Sequence, residues 1–168
     1  LYLTREVEGI GSLYSFTGSG PLVRVWPRGQ AEAGEPAYAQ AVTMAGGQLL
    51  LEGYDLVKLD QAGGPALEIA FYWRPEGVLP RPLKVSMRLQ TLAGAPLFWP
   101  DGEPVQDDAF PLRMIALTPE WAPGERVRDV HTLPIPTTAL GQPVRLVVIV
   151  YDAETLAEEG AWSMEMVW

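Results

Sequence analysis

The sequence predicts an all-β fold, an antiparallel β-sandwich of jelly-roll-like form with about eight or nine strands. Three observations lead to this prediction. In residues 67–73 and 85–89, apolar side chains occupy every second position, which is the period of a strand with one face on a core. The 17 glycines and 16 prolines are spread along the chain, as short strands joined by tight turns require. Apolar spacing of helical period is nearly absent.

The predicted strands are organised around residues 46–90, against which we expect the rest of the chain to pack. Strands are predicted there at residues 48–56, 66–73 and 84–91, separated by glycine- and proline-rich turns. Six further strands are predicted at residues 2–6, 22–26, 38–44, 126–133, 144–152 and 161–167. The strand at 144–152 is apolar on both faces, which is typical of a central strand. The predicted core consists of Leu67, Ile69, Phe71, Val85, Met87, Leu89, Leu146, Val148 and Val150.

The length of 168 residues fits a single domain with a substantial core, so residues 1–168 are predicted to form one β-sandwich domain. Residues 1–35 are rich in turns and poorly periodic, and the alternative is that they form a loosely attached N-terminal segment. The sequence begins at Leu1 without an initiator methionine or a signal peptide. We therefore expect this chain to be a fragment of a longer protein.

Composition argues against several functions. The formal net charge of -9 argues against binding to nucleic acids and to anionic lipid surfaces, which require clustered basic residues. The absence of cysteine excludes disulfides, thiol catalysis and thiolate metal sites. No apolar run approaches the ~18 residues of a membrane span, so direct membrane insertion by this chain is not expected. No cofactor is predicted.

Several spaced motifs resemble one family. The motifs lie at Gly47-Gln48, Leu51, Gly53-Tyr54, Leu67, Ile69, Phe71-Tyr72-Trp73, Gln106, Asp108, Thr118, Trp121, Pro123-Gly124-Glu125, Val127, Asp129, His131 and Tyr151-Asp152. Together they resemble the extracytoplasmic β-sandwich domain appended to bacterial multi-spanning membrane glycosyltransferases of the protein-mannosyltransferase and aminoarabinose-transferase type. The resemblance covers roughly residues 40–155. The chain departs from the family at Arg88, at Ile149 and in the long loop at 95–111.

The resemblance implies a location and a set of partners. We expect a non-catalytic accessory module outside the cytoplasm, tethered to the cell membrane through the missing part of the parent chain. The chemistry of glycosyl transfer would belong to that membrane portion. A glycan is the candidate ligand. The alternative is a purely structural or protein-interaction domain without a small-molecule ligand.

The candidate ligand site is the irregular loop at residues 95–111. Loops on a rigid sandwich commonly carry binding functions, and sugar sites combine aromatic faces with a few polar groups. We expect Trp99 to act as a stacking platform, with Asp101 or Asp107 bonding to hydroxyl groups. Asp108 and Trp121 complete the candidate ligand-binding set.

The acidic residues of this loop allow two other interpretations. Asp101, Glu103, Asp107 and Asp108 could bind calcium, although their spacing is not that of an EF-hand, and a solvated acidic loop is favoured. A glycosidase pair would need two carboxyl groups ~5–10 Å apart across a cleft, and no second motif supports one. No metal ligand is assigned.

The single histidine limits catalytic interpretations. Asp129 and His131 lie two residues apart, on one face of a predicted strand, where they could form a hydrogen bond. No serine lies in a Gly-x-Ser-x-Gly elbow. We expect a structural Asp–His pair and assign no catalytic residue.

Overall fold

The computed structural model describes residues 34–61, 64–114 and 116–168, together with two short strands nearer the N-terminus. Contacts within the chain divide it into the units Leu1–Glu35 and Pro36–Trp168. In the first unit, β1 (Tyr14–Phe16) and β2 (Val23–Val25) pair antiparallel. The strand predicted at residues 2–6 lies outside the described residues. The single-domain organisation of the whole chain remains a prediction.

The second unit is built from strands. They are β3 (Tyr38–Met44), β4 (Leu49–Gln61), β5 (Gly64–Pro75), β6 (Leu83–Thr91), β7 (Gln106–Ala109), β8 (Val127–Pro134), β9 (Pro143–Asp152) and β10 (Glu158–Val167). In the described part of the chain the only helical segments are short 3-10 turns at Ala45–Gly47, Pro111–Met114, Thr118–Glu120 and Thr137–Ala139. The predicted all-β class is confirmed. Strand β7 falls in a region where the sequence predicted none.

These strands form two antiparallel sheets of four strands, with the orders β3-β4-β5-β8 and β10-β9-β6-β7. The chain crosses between the sheets at β5–β6, β7–β8 and β8–β9. Strand β5 is paired with β8 in one sheet, and β6 with β9 in the other. The consecutive strands β5 and β6 thus lie in different sheets, and each is paired with one of the consecutive strands β8 and β9. This arrangement gives a sandwich-like architecture. This order does not confirm the jelly-roll form or the predicted number of strands.

The core lies between the inner faces of the two sheets. On β5 and β8, inward side chains are in register, and Phe71 is paired with Asp129 and Ile69 with His131. On β6 and β9, Met87 is paired with Val148. All nine residues of the predicted core are buried, which confirms the face assignment of those strands. Asp129 and His131 are polar members of the same buried row, and they lead to the site described below.

A glycine fixes the start of β3 against β4. The pairing of β4 with β5 shifts register between Leu51 and Gly53, so this part of β4 is bulged. A Cβ atom on Gly53 would lie 2.4 Å from the carbonyl oxygen of Tyr38 and 2.6 Å from a side-chain carbon of Pro36. Only glycine therefore allows the chain entering β3 to pass this close.

The burial of Phe71 can be tested by truncation. The side chain has no exposed surface, so Phe71→Ala should lower the free energy of unfolding by roughly 3–5 kcal/mol in denaturant titrations. Val57→Ala is the matched control because Val57 lies on the adjacent strand β4 and is 47 % exposed; it should change the value by less than about 0.5 kcal/mol. A loss below about 1 kcal/mol for Phe71→Ala would contradict this packing.

Candidate functional site

The connection between β6 and β7 is an ordered hairpin rather than an irregular loop. The backbone N–H of Trp99 donates to the carbonyl of Glu103 at 2.7 Å, and the N–H of Val105 donates to the carbonyl of Leu97 at 2.8 Å. The hairpin is attached to β6, because the N–H of Leu97 donates to Leu89 O at 2.9 Å and the N–H of Leu89 donates to Val105 O at 3.0 Å. We call residues 97–105 the β6–β7 hairpin. Its conformation is held by the sheet beside it.

The tip of this hairpin displays aromatic and acidic side chains. Phe98 is 52 % exposed, and Trp99 is half-buried. Their side chains point to opposite sides of the hairpin, because adjacent residues of an extended chain alternate. Asp101 and Glu103 are exposed, and Asp101 Oδ1 accepts a 3.2 Å hydrogen bond from the N–H of Glu103. Trp99 was expected to be the exposed ring of this segment, and its neighbour Phe98 is the more exposed of the two.

The other two acids of the predicted cluster belong to β7 and point in opposite directions. Asp107 faces inward, where it contacts His131. Asp108 faces the outer side of its sheet, accepts a 2.5 Å hydrogen bond from the Tyr151 hydroxyl and lies 3.8 Å from Lys84 Nζ. The structure therefore separates the four acids, and the described residues contain no group of three or more His, Asp or Glu side chains suited to a metal ion.

Trp121 occupies the corner that leads into β8. Only 5 % of the residue is exposed, and its indole Nε1 donates to the carbonyl of Ala116 at 3.3 Å. The 3-10 turn Thr118–Glu120 immediately precedes it. Trp121 thus packs inside the corner, and its ring does not offer a flat surface to solvent as Phe98 does.

Three hydrogen-bonded side chains connect β7 with β8, and two of them, Asp129 and His131, are buried. His131 Nδ1 lies 2.7 Å from Asp107 Oδ2, and His131 Nε2 lies 2.7 Å from Asp129 Oδ2. The second oxygen of Asp129 accepts a 2.8 Å bond from the N–H of Leu112. Both oxygens of Asp107 accept bonds from the Arg113 guanidinium, at 3.2 and 3.0 Å. We call Asp107, His131 and Asp129 the Asp–His–Asp clamp. The predicted bond between Asp129 and His131 is present, and the bond to Asp107 was not foreseen.

The clamp carries a positive charge on its imidazole. Burial by itself would lower the pKa of His131, but the two carboxylates outweigh it and raise this pKa to about 9. Burial would likewise raise the pKa of Asp107, and the bonds from His131 and Arg113 hold it below its usual value. At neutral pH both ring nitrogens are therefore donors, and each is engaged by a carboxylate. The histidine has no free nitrogen with which to act as a base.

The clamp also holds an unusual turn. Leu112, Arg113 and Met114 have φ angles of 52°, 50° and 69°, so three consecutive residues other than glycine adopt the left-handed conformation. Each costs roughly 1–2 kcal/mol relative to right-handed backbone. The bond from Leu112 N–H to Asp129 and the ion pair of Arg113 with Asp107 compensate part of this cost.

The outer face of the sheet β3-β4-β5-β8 carries polar side chains that are paired with one another by hydrogen bonds and ion pairs. The Tyr72 hydroxyl donates to Asp55 Oδ2 at 2.6 Å and accepts a 3.2 Å bond from Arg128 Nε. Glu52 pairs with Arg74 at 2.7 Å and with Arg126. These pairs make the face polar, and they leave the β6–β7 hairpin as the more accessible aromatic–acidic surface.

No model of a known protein family matches this chain, and no curated protein sequence is similar to it. Among the residues that the structure describes, no helix has the length and hydropathy needed to cross a membrane. A functional proposal for this chain therefore depends on its own side chains and on the motif resemblance given above.

The charge of the clamp makes stability depend on pH. The pKa of His131 rises from 6.5 to about 9 on folding, so its stabilising contribution is full below about pH 6.5 and is lost as the pH rises through about 9. For Asp107, whose pKa is lowered from 3.8, the contribution is present above that value and is lost as the pH falls. We expect the free energy of unfolding, measured with denaturant, to decline between pH 6.5 and 9.

The control for this decline is His131→Phe. This change removes the cation bonded to the buried Asp129 carboxylate, whereas Asp107 keeps its bonds to Arg113, so it should cost roughly 3–5 kcal/mol at pH 7. The chain has one histidine and no cysteine, so the substitution should also flatten the profile between pH 6.5 and 9. An unchanged slope in the variant would show that another group titrates.

Proposed function

We propose that this chain is a non-catalytic accessory module that binds carbohydrate through the tip of the β6–β7 hairpin. In the same proposal it is the extracytoplasmic part of a membrane glycosyltransferase-like protein, tethered through the rest of the parent chain. The observation that carries the binding proposal is the exposed ring of Phe98 on a hairpin whose tip also carries the half-buried Trp99 and the exposed side chains of Asp101 and Glu103.

The hairpin suits a sugar for physical reasons. The C–H faces of a sugar ring pack against aromatic rings, while its hydroxyl groups donate to carboxylates. Backbone hydrogen bonds to Leu89 hold the hairpin in place before a ligand arrives, so less conformational entropy is lost on binding. Asp101 and Glu103 lie on either side of Gly102, at the end of the hairpin where such hydroxyl groups would approach.

The arrangement of the acidic and basic groups favours binding over hydrolysis. The only histidine of the chain is fully buried, with both ring nitrogens engaged by aspartates. Asp107 and Asp108 point to opposite faces of β7, so they do not face each other across a cleft as the two carboxyl groups of a glycosidase do. These contacts support a module without chemistry of its own.

The membrane-associated context is proposed from the motif resemblance, and the motif residues themselves have structural roles. Several of them make specific structural bonds: Thr118 Oγ1 accepts a 2.9 Å bond from the Leu83 N–H and donates to Arg81 O at 3.1 Å. Asp152 pairs with the Arg81 guanidinium at 2.9 Å and accepts 2.8 and 2.9 Å bonds from the following turn. The location and the partner chain come from the resemblance alone.

The alternative is a structural or protein-interaction domain without a small-molecule ligand. The observation that favours it is the number of exposed apolar side chains elsewhere, including Val78 at 68 % and Val167 at 59 % exposure. A protein partner could cover such side chains. The two proposals differ in whether the isolated chain binds sugars.

Carbohydrate binding is tested with a glycan panel followed by calorimetry on the full 168-residue chain. We expect at least one of Phe98→Ala and Trp99→Ala, whose side chains point to opposite sides of the hairpin, to weaken binding at least about tenfold, which corresponds to ~1.4 kcal/mol, because it removes the aromatic face on which the sugar stacks. Phe98→Ala should leave the melting temperature nearly unchanged, since the ring is 52 % exposed. Val78→Ala is the control for loss of an exposed apolar group away from the hairpin.

Two outcomes would contradict the proposal. If the wild-type chain binds no glycan in a broad panel, the module is not a carbohydrate binder and the alternative stands. If it binds a glycan but Phe98→Ala and Trp99→Ala bind as well as the wild type, the site lies elsewhere on the molecule.

A further inference from the structure

The two sheets end in four edge strands among those that the structure describes, and three of these edges are protected. Strand β7 has only four residues, and the pairing of β3 is irregular between Ala39 and Val42. Strand β8 ends at Pro134 and lies against the left-handed turn, through the bond from Leu112 N–H to Asp129. Short strands, bulges, prolines and covering segments are the usual means by which proteins prevent unwanted pairing.

Strand β10 has a register shift between Glu158 and Gly160, and beyond that shift it lacks these protections. Its pairing with β9 is regular from Gly160, opposite Val150, to Val167, opposite Pro143. This part of the strand contains no proline and no lysine, and its only charged residue is Glu165. At its C-terminal end, Lys58 Nζ donates to the carbonyl of Val167 at 2.7 Å. The free edge therefore extends over residues 161–166.

The side chains of this edge form two rows. On the inner face Trp162, Met164 and Met166 are only half-buried, because no strand beyond β10 covers them in the described part of the chain. On the outer face Ala161, Ser163 and Glu165 are exposed. A strand added at this edge would bury apolar surface on one side and meet small or neutral groups on most of the other.

We propose that β10 pairs antiparallel with β10 of a second copy of this chain. The sheets β10-β9-β6-β7 of the two copies would then continue across a twofold axis as one sheet. The interface is isologous, since the same strand contributes from each copy. This inference is independent of the proposal that the hairpin binds carbohydrate.

Self-complementarity is the reason for choosing a second copy as the occupant. In a pairing centred on Met164, Ser163 lies opposite Glu165 of the partner subunit, and Trp162 lies opposite Met166 of the partner subunit. The carboxylate thus meets a hydroxyl group rather than another carboxylate, and apolar side chains meet apolar side chains. Glu165 is also paired with Arg145 of its own chain at 2.9 Å, which reduces its charge at the edge.

A basic peptide is the competing occupant, because the chain as a whole is acidic. The edge itself gives little reason to select one. Its single carboxylate is already engaged by Arg145, and its inner row of Trp162, Met164 and Met166 is uncharged. The local chemistry of the edge therefore favours pairing with an identical strand.

The test uses sedimentation equilibrium of the full chain and two variants of the exposed Ser163. We expect the wild type to dimerise at concentrations of about 100 μM. Ser163→Glu places a carboxylate opposite Glu165 of the partner subunit, twice per interface, and should raise the dimer dissociation constant at least about tenfold, since like charges directly opposite destabilise strand pairs. Ser163→Lys introduces a side chain about as long as that of Ser163→Glu but with the opposite charge. It should leave the dimer as stable as the wild type or make it more stable, because the lysine lies opposite Glu165 of the partner subunit.

Three results would overturn this inference. A wild-type chain that is monomeric at about 100 μM has no such interface. A dimer that responds equally to Ser163→Glu and Ser163→Lys uses another surface. A dimer in which the backbone amides of residues 161–166 exchange with solvent as fast as in the dilute monomer does not pair through β10.

Discussion

The Asp–His–Asp clamp is the interaction on which the arrangement of the two sheets depends. His131 projects from β8 in one sheet and bonds Asp107 on β7 in the other, so a charge-assisted hydrogen bond joins the sheets inside the core. The same imidazolium bonds Asp129, which in turn holds the left-handed turn that follows β7. Strand pairing explains each sheet, the apolar core holds the sheets face to face, and the clamp joins the edge strand β7 of one sheet to the edge strand β8 of the other.

Placing these charges in a core has a cost that must be offset locally. Separating an ion from water costs several kcal/mol, and a buried pair is favourable only when every lone pair and proton is bonded. Here the guanidinium of Arg113 supplies a second cation to Asp107, and the ring of Phe71 packs edge-on against His131 at a centroid distance of 5.7 Å. Because Asp107 follows Val105 by two residues, the clamp also anchors the end of the β6–β7 hairpin. The buried clamp thereby fixes the position of the β6–β7 hairpin, which carries the candidate binding surface.

The parts of this structure that the sequence could predict are those written in local periodicity. Val85 and Met87 alternate with the polar residues Lys84, Ser86 and Arg88, and their burial follows from that pattern. The bond between Asp129 and His131 could be foreseen from their spacing of two residues. Asp107 is 24 residues from His131, and only the order of strands in the sheets brings them together. The left-handed turn contains no glycine or asparagine that would signal it, and the proline-rich hairpin shows no alternation.

The charge state of His131 is the central claim of this account, and nitrogen NMR of the imidazole ring measures it directly. The chain has a single histidine, so its two ring nitrogens are resolved without assignment of other residues. We expect both nitrogens to show the chemical shifts of a protonated imidazolium at pH 7, with slowly exchanging ring protons, and to titrate only near pH 9. A neutral ring at pH 7, with one nitrogen unprotonated, would contradict the clamp as the charged link between the sheets.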